Sequence, residues 1–292
     1  MDVLVVEDVG SMKLRKLHQE EHIKTRKLWE EIFTEDSPQF LDYYYSVKIR
    51  DNEIYVIEDG DEIVSMVHLN PYEMYVNNQI YQTHYIVAVA TDVRYRKQGL
   101  MRKLLNHVMQ VMSDRGEPFT FLMPAAEAIY KPFGFGFIYE QKSEKVVGKK
   151  SCDTMLEVIP AKEEYCREIA DFANGYLQKY DVVTQRSEEY YKRLLAEQKS
   201  EGGGILIAKH NGIITGIFCY TSVGAIEIRE PLFYDKEDLQ HIIYLLTGNE
   251  TQSVLCNGYG AEETKPIIMA KILSPDFKFD LKKAKVFLNE VV

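Results

Sequence analysis

Residues 85–106 read YIVAVATDVRYRKQGLMRKLLN, and this stretch decides how the rest of the chain is interpreted. Residues 85–90 are an apolar run with the length and β-branched content of a buried strand. Farther on, apolar residues recur at the spacing of one helix face: Leu100, Leu104, Leu105 and Val108. The sequence therefore predicts a strand that leads through a short loop into an amphipathic helix.

The loop between this strand and this helix is basic. Residues 94–103 hold five cations and no acid, in a chain whose formal net charge is −10. Gly99 lies just before the helix, where a side chain would hinder the close approach of a ligand. Backbone N–H groups and the helix dipole favour anions at such a position. The pattern predicts a pyrophosphate-binding site; the alternative, a basic helix start on a solvated surface, stays open.

Motifs and composition disfavour several classes of protein. The sequence contains neither a Gly-x-x-x-x-Gly-Lys-Ser/Thr loop nor a dinucleotide-binding fingerprint. It lacks an apolar run near the ~20 residues that a membrane span needs, and its N-terminus does not resemble a signal peptide. We therefore expect a cytoplasmic protein that does not associate with membranes. The excess of acid, 45 residues against 35, disfavours nucleic acid and suits a cationic substrate.

Cysteine and histidine spacing argues against a metal site. The four cysteines include no Cys-x-x-Cys pair, and the seven histidines include no His-Glu-x-x-His motif. Scattered cysteines of this kind are typical of reduced thiols in a cytoplasmic protein. We therefore predict neither a disulfide framework nor a bound metal.

The order of elements repeats along the chain. The first half predicts strand 12–17, helix 20–33, a second helix from Ser37-Pro38, hairpins 53–69 and 72–84, strand 119–123, helix 127–133 and strand 137–147. After residue 150 the order strand, helix, helix, hairpin recurs, but no Arg-x-x-Gly loop follows. We interpret residues 151–270 as a second copy that has lost the cofactor; two unrelated α/β pieces are the alternative.

Two motifs resemble those of the GNAT N-acetyltransferases. Arg96-x-x-Gly99-x-Met101 is similar to their acyl-CoA loop, Gln/Arg-x-x-Gly-x-Gly/Ala, with methionine at the last position. Tyr130, followed by Phe133-Gly134-Phe135, resembles the tyrosine helix and turn that end a GNAT core. With the repeated second half, the chain resembles the enhanced intracellular survival (Eis-like) branch of multi-acetylating aminoglycoside N-acetyltransferases.

This resemblance implies a fold and a domain organisation. The fold class is α/β (α+β): tandem GNAT folds, each a mixed, mostly antiparallel twisted sheet flanked by helices, with a short C-terminal tail. Residues 1–150 are expected to be a catalytic domain that binds acetyl-CoA. Residues 151–292 are expected to be a degenerate GNAT-like domain, with the tail as a remnant of the family's sterol-carrier-like domain.

The resemblance also assigns roles to individual residues. Tyr130 matches the general acid, and Val292 matches the position whose terminal carboxylate is the general base; Glu127 is a substitute for the base. An aromatic residue that lines the family's pocket is replaced by Ala88. The expected contacts to coenzyme A are two groups on the strand end and the loop: Val89, Ala90, Thr91, Lys97, Gln98, Gly99, Leu100, Met101 and Arg102.

The implied activity is acetyl-CoA-dependent N-acetyl transfer, without a metal, by direct attack of a primary amine in a ternary complex. The expected partner is a small amine or a lysine-bearing substrate of the aminoglycoside, polyamine or lysine-like type. Oligomers are common in this family, so a homo-oligomer is also expected. The alternatives are a non-catalytic acyl-CoA-binding sensor and a longer-acyl or aminoacyl transferase of the tandem-GNAT type.

Overall fold

The computed structural model describes residues 7–9 and 12–290. Within this part, the chain divides into two compact units, each built from two separate stretches. The first unit contains the described residues up to Ile138 together with Ile268–Lys283, and the second contains Tyr139–Ile267 and Ala284–Glu290. The catalytic and degenerate roles expected for residues 1–150 and 151–292 stay predictions.

The first unit is a mostly antiparallel sheet with helices. Its strands are β1 Glu7–Val9, β2 Met12–Lys16, β3 Glu53–Asp59, β4 Glu62–Val76, β5 Gln79–Thr91 and β6 Phe119–Leu122. Its helices are α1 Arg26–Ile32, α2 Pro38–Ser46, α3 Leu100–Asp114 and α4 Glu127–Tyr130, with 3-10 turns at Gln19–Thr25, Lys48–Asp51, Val93–Tyr95 and Lys131–Phe133. The sheet order is β1-β2-β3-β4-β5-β6, and residues 269–272 pair with β6. Only β5 and β6 run parallel among these pairs.

The two hairpins predicted within residues 53–84 are part of longer strands. β4 and β5 form one long hairpin of 15 and 13 residues, and its turn is at Asn77 and Asn78 as predicted. Pro71 lies inside β4, opposite His84. β3 pairs with β4 only as far as Leu69, so the missing N–H of Pro71 interrupts no hydrogen bond to β3.

The core of the first unit lies between α3 and the sheet. Leu100, Leu104, Leu105 and Val108 are buried, as the helical spacing predicts. They pack in one cluster with Val67 of β4. His68, the next residue, points to the opposite face of the sheet and lies against Trp29 of α1 and Tyr44 of α2. Helices therefore cover both faces, which confirms the predicted fold class.

The second unit has the same kind of architecture. Its strands and helices are β7 Gly136–Val147, β8 Leu156–Pro160, α5 Cys166–Leu177, β9 Val182–Thr184, α6 Glu188–Ser200, β10 Gly204–His210, β11 Ile213–Thr221, β12 Glu227–Phe233, α7 Lys236–Leu246, β13 Ser253–Asn257, β14 Glu263–Ile272 and β15 Val286–Phe287. The sheet order is β7-β13-β12-β11-β10-β8, in which only β12 and β13 run parallel; β15 pairs with β9, also in parallel. The first three residues of β7, up to Ile138, and the residues of β14 from Ile268 onward belong to the first unit. No helix in the described ranges has both the length and the apolar character of a membrane span.

A buried arginine ties residues 284–290 to the rest of the second unit. The side chain of Arg186 is fully buried, with Nη2 3.0 Å from Glu230 and Nη1 3.3 Å from Glu290. Its guanidinium carbon lies 4.3 Å from the ring centroid of Tyr190. Burial raises the pKa of Glu230, although Arg186 acts in the opposite direction. Because an unpaired buried charge is costly, Arg186 stabilises the buried Glu290 by providing its counter-charge.

His210 lies between two carboxylates of the second unit. Its Nδ1 is 3.0 Å from Asp153, and its Nε2 is 3.0 Å from Asp238. Asp238 is buried in the first turn of α7. The hydrogen bond to Asp238 is the main cause that raises the pKa of His210.

Replacement of His210 should destabilise the protein in acid more than in base. The pKa of His210 is higher in the folded than in the unfolded protein. The stabilisation by its interactions with Asp238 and Asp153 is therefore fully present below the unfolded pKa of about 6.5, and it is lost as the pH rises through the folded pKa. We expect His210→Gln to lower the urea midpoint at about pH 6 more than at about pH 9. Asp153→Asn should show the same trend to a smaller extent. A midpoint difference that stays constant or grows with pH would contradict this assignment.

Candidate functional site

A β-bulge lies in β5 close to the predicted ligand-binding residues. The register between β4 and β5 shifts by one residue between Met66 and His68, so that Ala88 and Val89 both lie opposite Val67. Ala88 has a φ of 50°, which is in the left-handed region. A bulge leaves one residue outside the ladder of hydrogen bonds. Backbone groups near Val89 are therefore available to a ligand.

The two parallel strands beside this bulge pair over a short distance. The register of β5 and β6 joins Tyr85 to Phe121, whereas β5 continues to Thr91 and β6 ends at Leu122. The end of β5 therefore has a strand edge that β6 does not cover. Such an edge can accept an extended ligand by strand-like hydrogen bonds.

The loop after β5 leads into the free N-terminus of α3. Gly99 is the N-cap residue, with a φ of 80°, and Lys97 also has a positive φ of 64°. The first intrahelical bond in this turn runs from Lys103 N–H to the Gly99 carbonyl, 3.1 Å. The N–H groups of residues 100–102 have no acceptor within the helix, and Gly99 has no side chain to cap them. Three N–H donors thus point out of a helix of 15 residues, which is a site suited to an anion.

Met101, at the position where the resemblance expects glycine or alanine, lies inside the first turn of α3. Its backbone is helical, so this position does not require glycine. Its side chain is half-buried and packs against the α3 core. The positive φ that requires glycine occurs two residues earlier, at Gly99.

One of the five cations of the loop has a structural role. Arg94 forms ion pairs with Asp92 at 2.7 Å and with Glu62 at 2.6 Å. Asp92 also accepts the backbone N–H of Arg94 at 2.8 Å, and its pKa is lowered by its bonds to Arg94. The other four cations form no ion pair within the described part of the chain: Arg96, Lys97, Arg102 and Lys103. These four charges are available to an anionic ligand.

A cavity of about 720 Å³ brings the strand end and the helix start together. Eight of the nine residues predicted to contact coenzyme A line it: Val89, Ala90, Thr91, Lys97, Gly99, Leu100, Met101 and Arg102. Gln98 is exposed and does not line the cavity. The remaining lining residues come from the end of α1, the loop after it, the basic loop and the start of α4: Ile32, Phe33, Glu35, Tyr95, Arg96, Ala125 and Ile129. Sequence reasoning missed most of this second group, because no local pattern marks it.

None of the residues predicted to be catalytic is among the described residues that line this cavity. Tyr130 ends α4 and is buried against Phe135, with ring centroids 6.0 Å apart, whereas its neighbour Ile129 lines the cavity. Burial raises the pKa of Tyr130 to about 12, which keeps its hydroxyl protonated at neutral pH. Val292 lies outside the described residues. Glu127 is half-exposed and lies 3.4 Å from Lys131. The roles of these residues stay predictions.

Within residues 7–9 and 12–290, no cluster of three or more histidine, cysteine, aspartate or glutamate side chains could hold a metal ion.

The sequence of the first unit matches a known family. Residues 13–138 match the family profile described as "Acetyltransferase (GNAT) domain". The matched stretch includes Arg96, Gly99 and Tyr130, which carry the motifs quoted above. Residues 13–138 therefore form a GNAT acetyltransferase domain, and the protein is an acyltransferase. No curated protein sequence matches the chain significantly.

Solved structures with this fold include several acyltransferases. A probable N-acyltransferase from Enterococcus faecalis V583 is similar over 90% of this chain and 73% of its own, with a TM-score of 0.75 and 16% identity. Eis1 from Mycobacterium abscessus gives the same coverage, with a TM-score of 0.62 and 9% identity. Saccharomyces cerevisiae N-myristoyltransferase with bound myristoyl-CoA is similar over 98% of this chain and 90% of its own, with a TM-score of 0.64 and 9% identity. At these identities the likeness concerns the fold, which Eis1 and the N-myristoyltransferase both share with this chain.

Proposed function

We propose that the first unit binds acetyl-CoA in the 720 Å³ cavity and transfers its acetyl group to a primary amine. The observation that carries this proposal is the convergence of the bulged end of β5 and the uncapped start of α3 on one cavity. The N–H groups of residues 100–102, with Lys97 and Arg102, suit a diphosphate. The free edge of β5 suits the amide groups of the pantetheine arm, and a bulge N–H suits the thioester carbonyl.

The proposed reaction is a direct attack. An amine that is protonated at neutral pH first loses a proton to water or a carboxylate. Its nitrogen lone pair then attacks the thioester carbonyl carbon, and the carbon–sulfur bond breaks. The departing thiolate takes a proton, and Tyr130 is the predicted donor because it matches the general acid of the GNAT motif and its hydroxyl is protonated at neutral pH. The products are an amide and free coenzyme A.

We further propose that the second unit does not bind a coenzyme. Its β12 carries the corresponding bulge, at Arg229, where the register with β11 shifts. The helix that follows, α7, begins differently from α3. Asp235 caps it by accepting the N–H of Glu237 at 2.9 Å, and Asp238 adds a further acid to the first turn. A helix start that is already capped and surrounded by carboxylates disfavours a diphosphate.

The thiol-release assay tests this function. Binding of coenzyme A is titrated first, and thiol release from acetyl-CoA is then measured with aminoglycosides, polyamines, lysine peptides and small amines. We expect uptake of coenzyme A and amine-dependent thiol release. Uptake without release in the whole panel would favour the acyl-CoA-binding sensor. No uptake by folded protein would refute the proposed site.

The half-apolar lining of the cavity makes acyl-chain length a second variable. Val89, Leu100 and Ile129 offer apolar contacts. Acetyl-, butyryl- and octanoyl-CoA should therefore be compared in the same assay. Faster release from the longer thioesters would identify the longer-acyl transferase instead.

Replacement of Gly99 should weaken coenzyme A binding. At a φ of 80°, alanine costs about 1–2 kcal/mol, and relief of that strain would turn the N–H groups of the first helical turn. We expect Gly99→Ala to raise the Kd of coenzyme A by about tenfold, measured by calorimetry. Gly116→Ala is the matched control, because Gly116 has a φ of 79° at the other end of α3 and open space around it. Equal effects of the two variants on Kd would contradict the proposed site.

Replacement of the Tyr130 hydroxyl should slow the reaction without affecting binding. We expect Tyr130→Phe to lower kcat by about 10²-fold or more, the loss typical of a general acid. The Kd of coenzyme A should stay unchanged, because the ring and its packing are kept. Tyr139→Phe, another buried tyrosine with a raised pKa, serves as the control. An unchanged kcat would assign the proton donor to another group.

A further inference from the structure

The loop between α1 and α2 holds a carboxylate at the cavity. Phe33 N–H donates to the Trp29 carbonyl at 2.8 Å, and the two rings pack edge to face with centroids 5.7 Å apart. The indole N–H of Trp29 donates to Asp36 at 2.7 Å. Ser37 then caps α2 by accepting the Phe40 N–H at 3.1 Å. The residues on both sides of Glu35 are therefore fixed in position.

Glu35 itself has no partner within the described part of the chain. Its side chain is exposed, lines the cavity and makes neither a hydrogen bond nor an ion pair there. Among the described residues that line the cavity, it is also the single carboxylate. A fixed loop with an unpaired carboxylate is a ready site for an ammonium group.

The other residues that line the cavity disfavour an amine acceptor with further positive charges. Three cations line the cavity, Arg96, Lys97 and Arg102. The lining also includes the apolar residues Ile32, Phe33, Ala125 and Ile129. Among the described residues a second ammonium group would find no further carboxylate at the cavity. The apolar walls would also remove part of its hydration at a cost in free energy.

We infer that the acceptor is a primary amine with one positive charge on an apolar stem, and that Glu35 binds its ammonium group. This inference rests on the proposed function. It selects the lysine-like class from the predicted acceptors and disfavours polyamines and aminoglycosides. After transfer, the nitrogen is a neutral amide, the proton has gone to solvent and the thiolate has become a thiol. The product therefore no longer attracts Glu35, which favours its release.

A pair of amines of equal length tests the charge selectivity. n-Hexylamine and 1,6-diaminohexane have the same carbon chain and differ in the second ammonium group. We expect kcat/KM to be at least about tenfold higher for n-hexylamine. An equal or higher value for 1,6-diaminohexane would overturn the inference.

Variants of Glu35 test its role. Glu35→Gln should raise the KM for n-hexylamine by about tenfold, with little change in the Kd of coenzyme A. Glu35→Asp should restore part of the affinity. Glu31→Gln is the control, because Glu31 is an exposed glutamate of α1 that lies near Lys27 and does not line this cavity. Equal KM values in Glu35→Gln and Glu31→Gln would overturn the inference.

Calorimetry separates this inference from the proposed function. Binding of n-hexylamine is measured with and without coenzyme A, which requires no turnover. If Glu35→Gln loses amine binding and Glu31→Gln keeps it, the result supports the role of Glu35 even if thiol release fails. If Glu35→Gln binds the amine as tightly as the unmodified protein does, the inference is overturned. A failure of coenzyme A to bind refutes the proposed function instead.

Discussion

The proposed ligand site of the first unit depends on three backbone N–H groups, those of residues 100–102, which have no acceptor within α3. They are useful to a ligand only if the helix start stays close to the end of β5. The buried side chains of Leu100 and Leu104 hold α3 against the sheet. Arg94, through Asp92 and Glu62, holds the loop that joins the two elements. The core and the loop therefore fix a group of donors that has no partner of its own.

The features that could be predicted from the sequence are those set by local patterns. The apolar run of β5, the buried face of α3 and the turn at Asn77-Asn78 follow from side-chain periodicity and from residues that tolerate a positive φ. The motif around Arg96 and Gly99 likewise marked most of the loop residues that line the cavity. These predictions need only neighbours along the chain.

The features that escaped prediction depend on distant partners. Ala88 adopts a left-handed φ that nothing in its own identity suggests, because the bulge results from its register with β4. The strand β4 continues through Pro71, where the predicted hairpins 53–69 and 72–84 left a break, and β3 stops before this residue. Phe33 and Glu35 reach the cavity through the packing of Trp29, which is a tertiary contact. Local patterns do not contain this information.

The discontinuous composition of both units has a consequence for biosynthesis. The first unit needs residues 268–283 to complete its sheet, and the second needs Glu290 as a partner for the buried Arg186. Neither unit can reach its final state while its last segment is still inside the ribosome. About a hundred further residues are synthesised after Arg186 before Glu290, its second carboxylate partner, is available. The nascent chain can therefore complete the folding of both units only after residue 290 has left the ribosome.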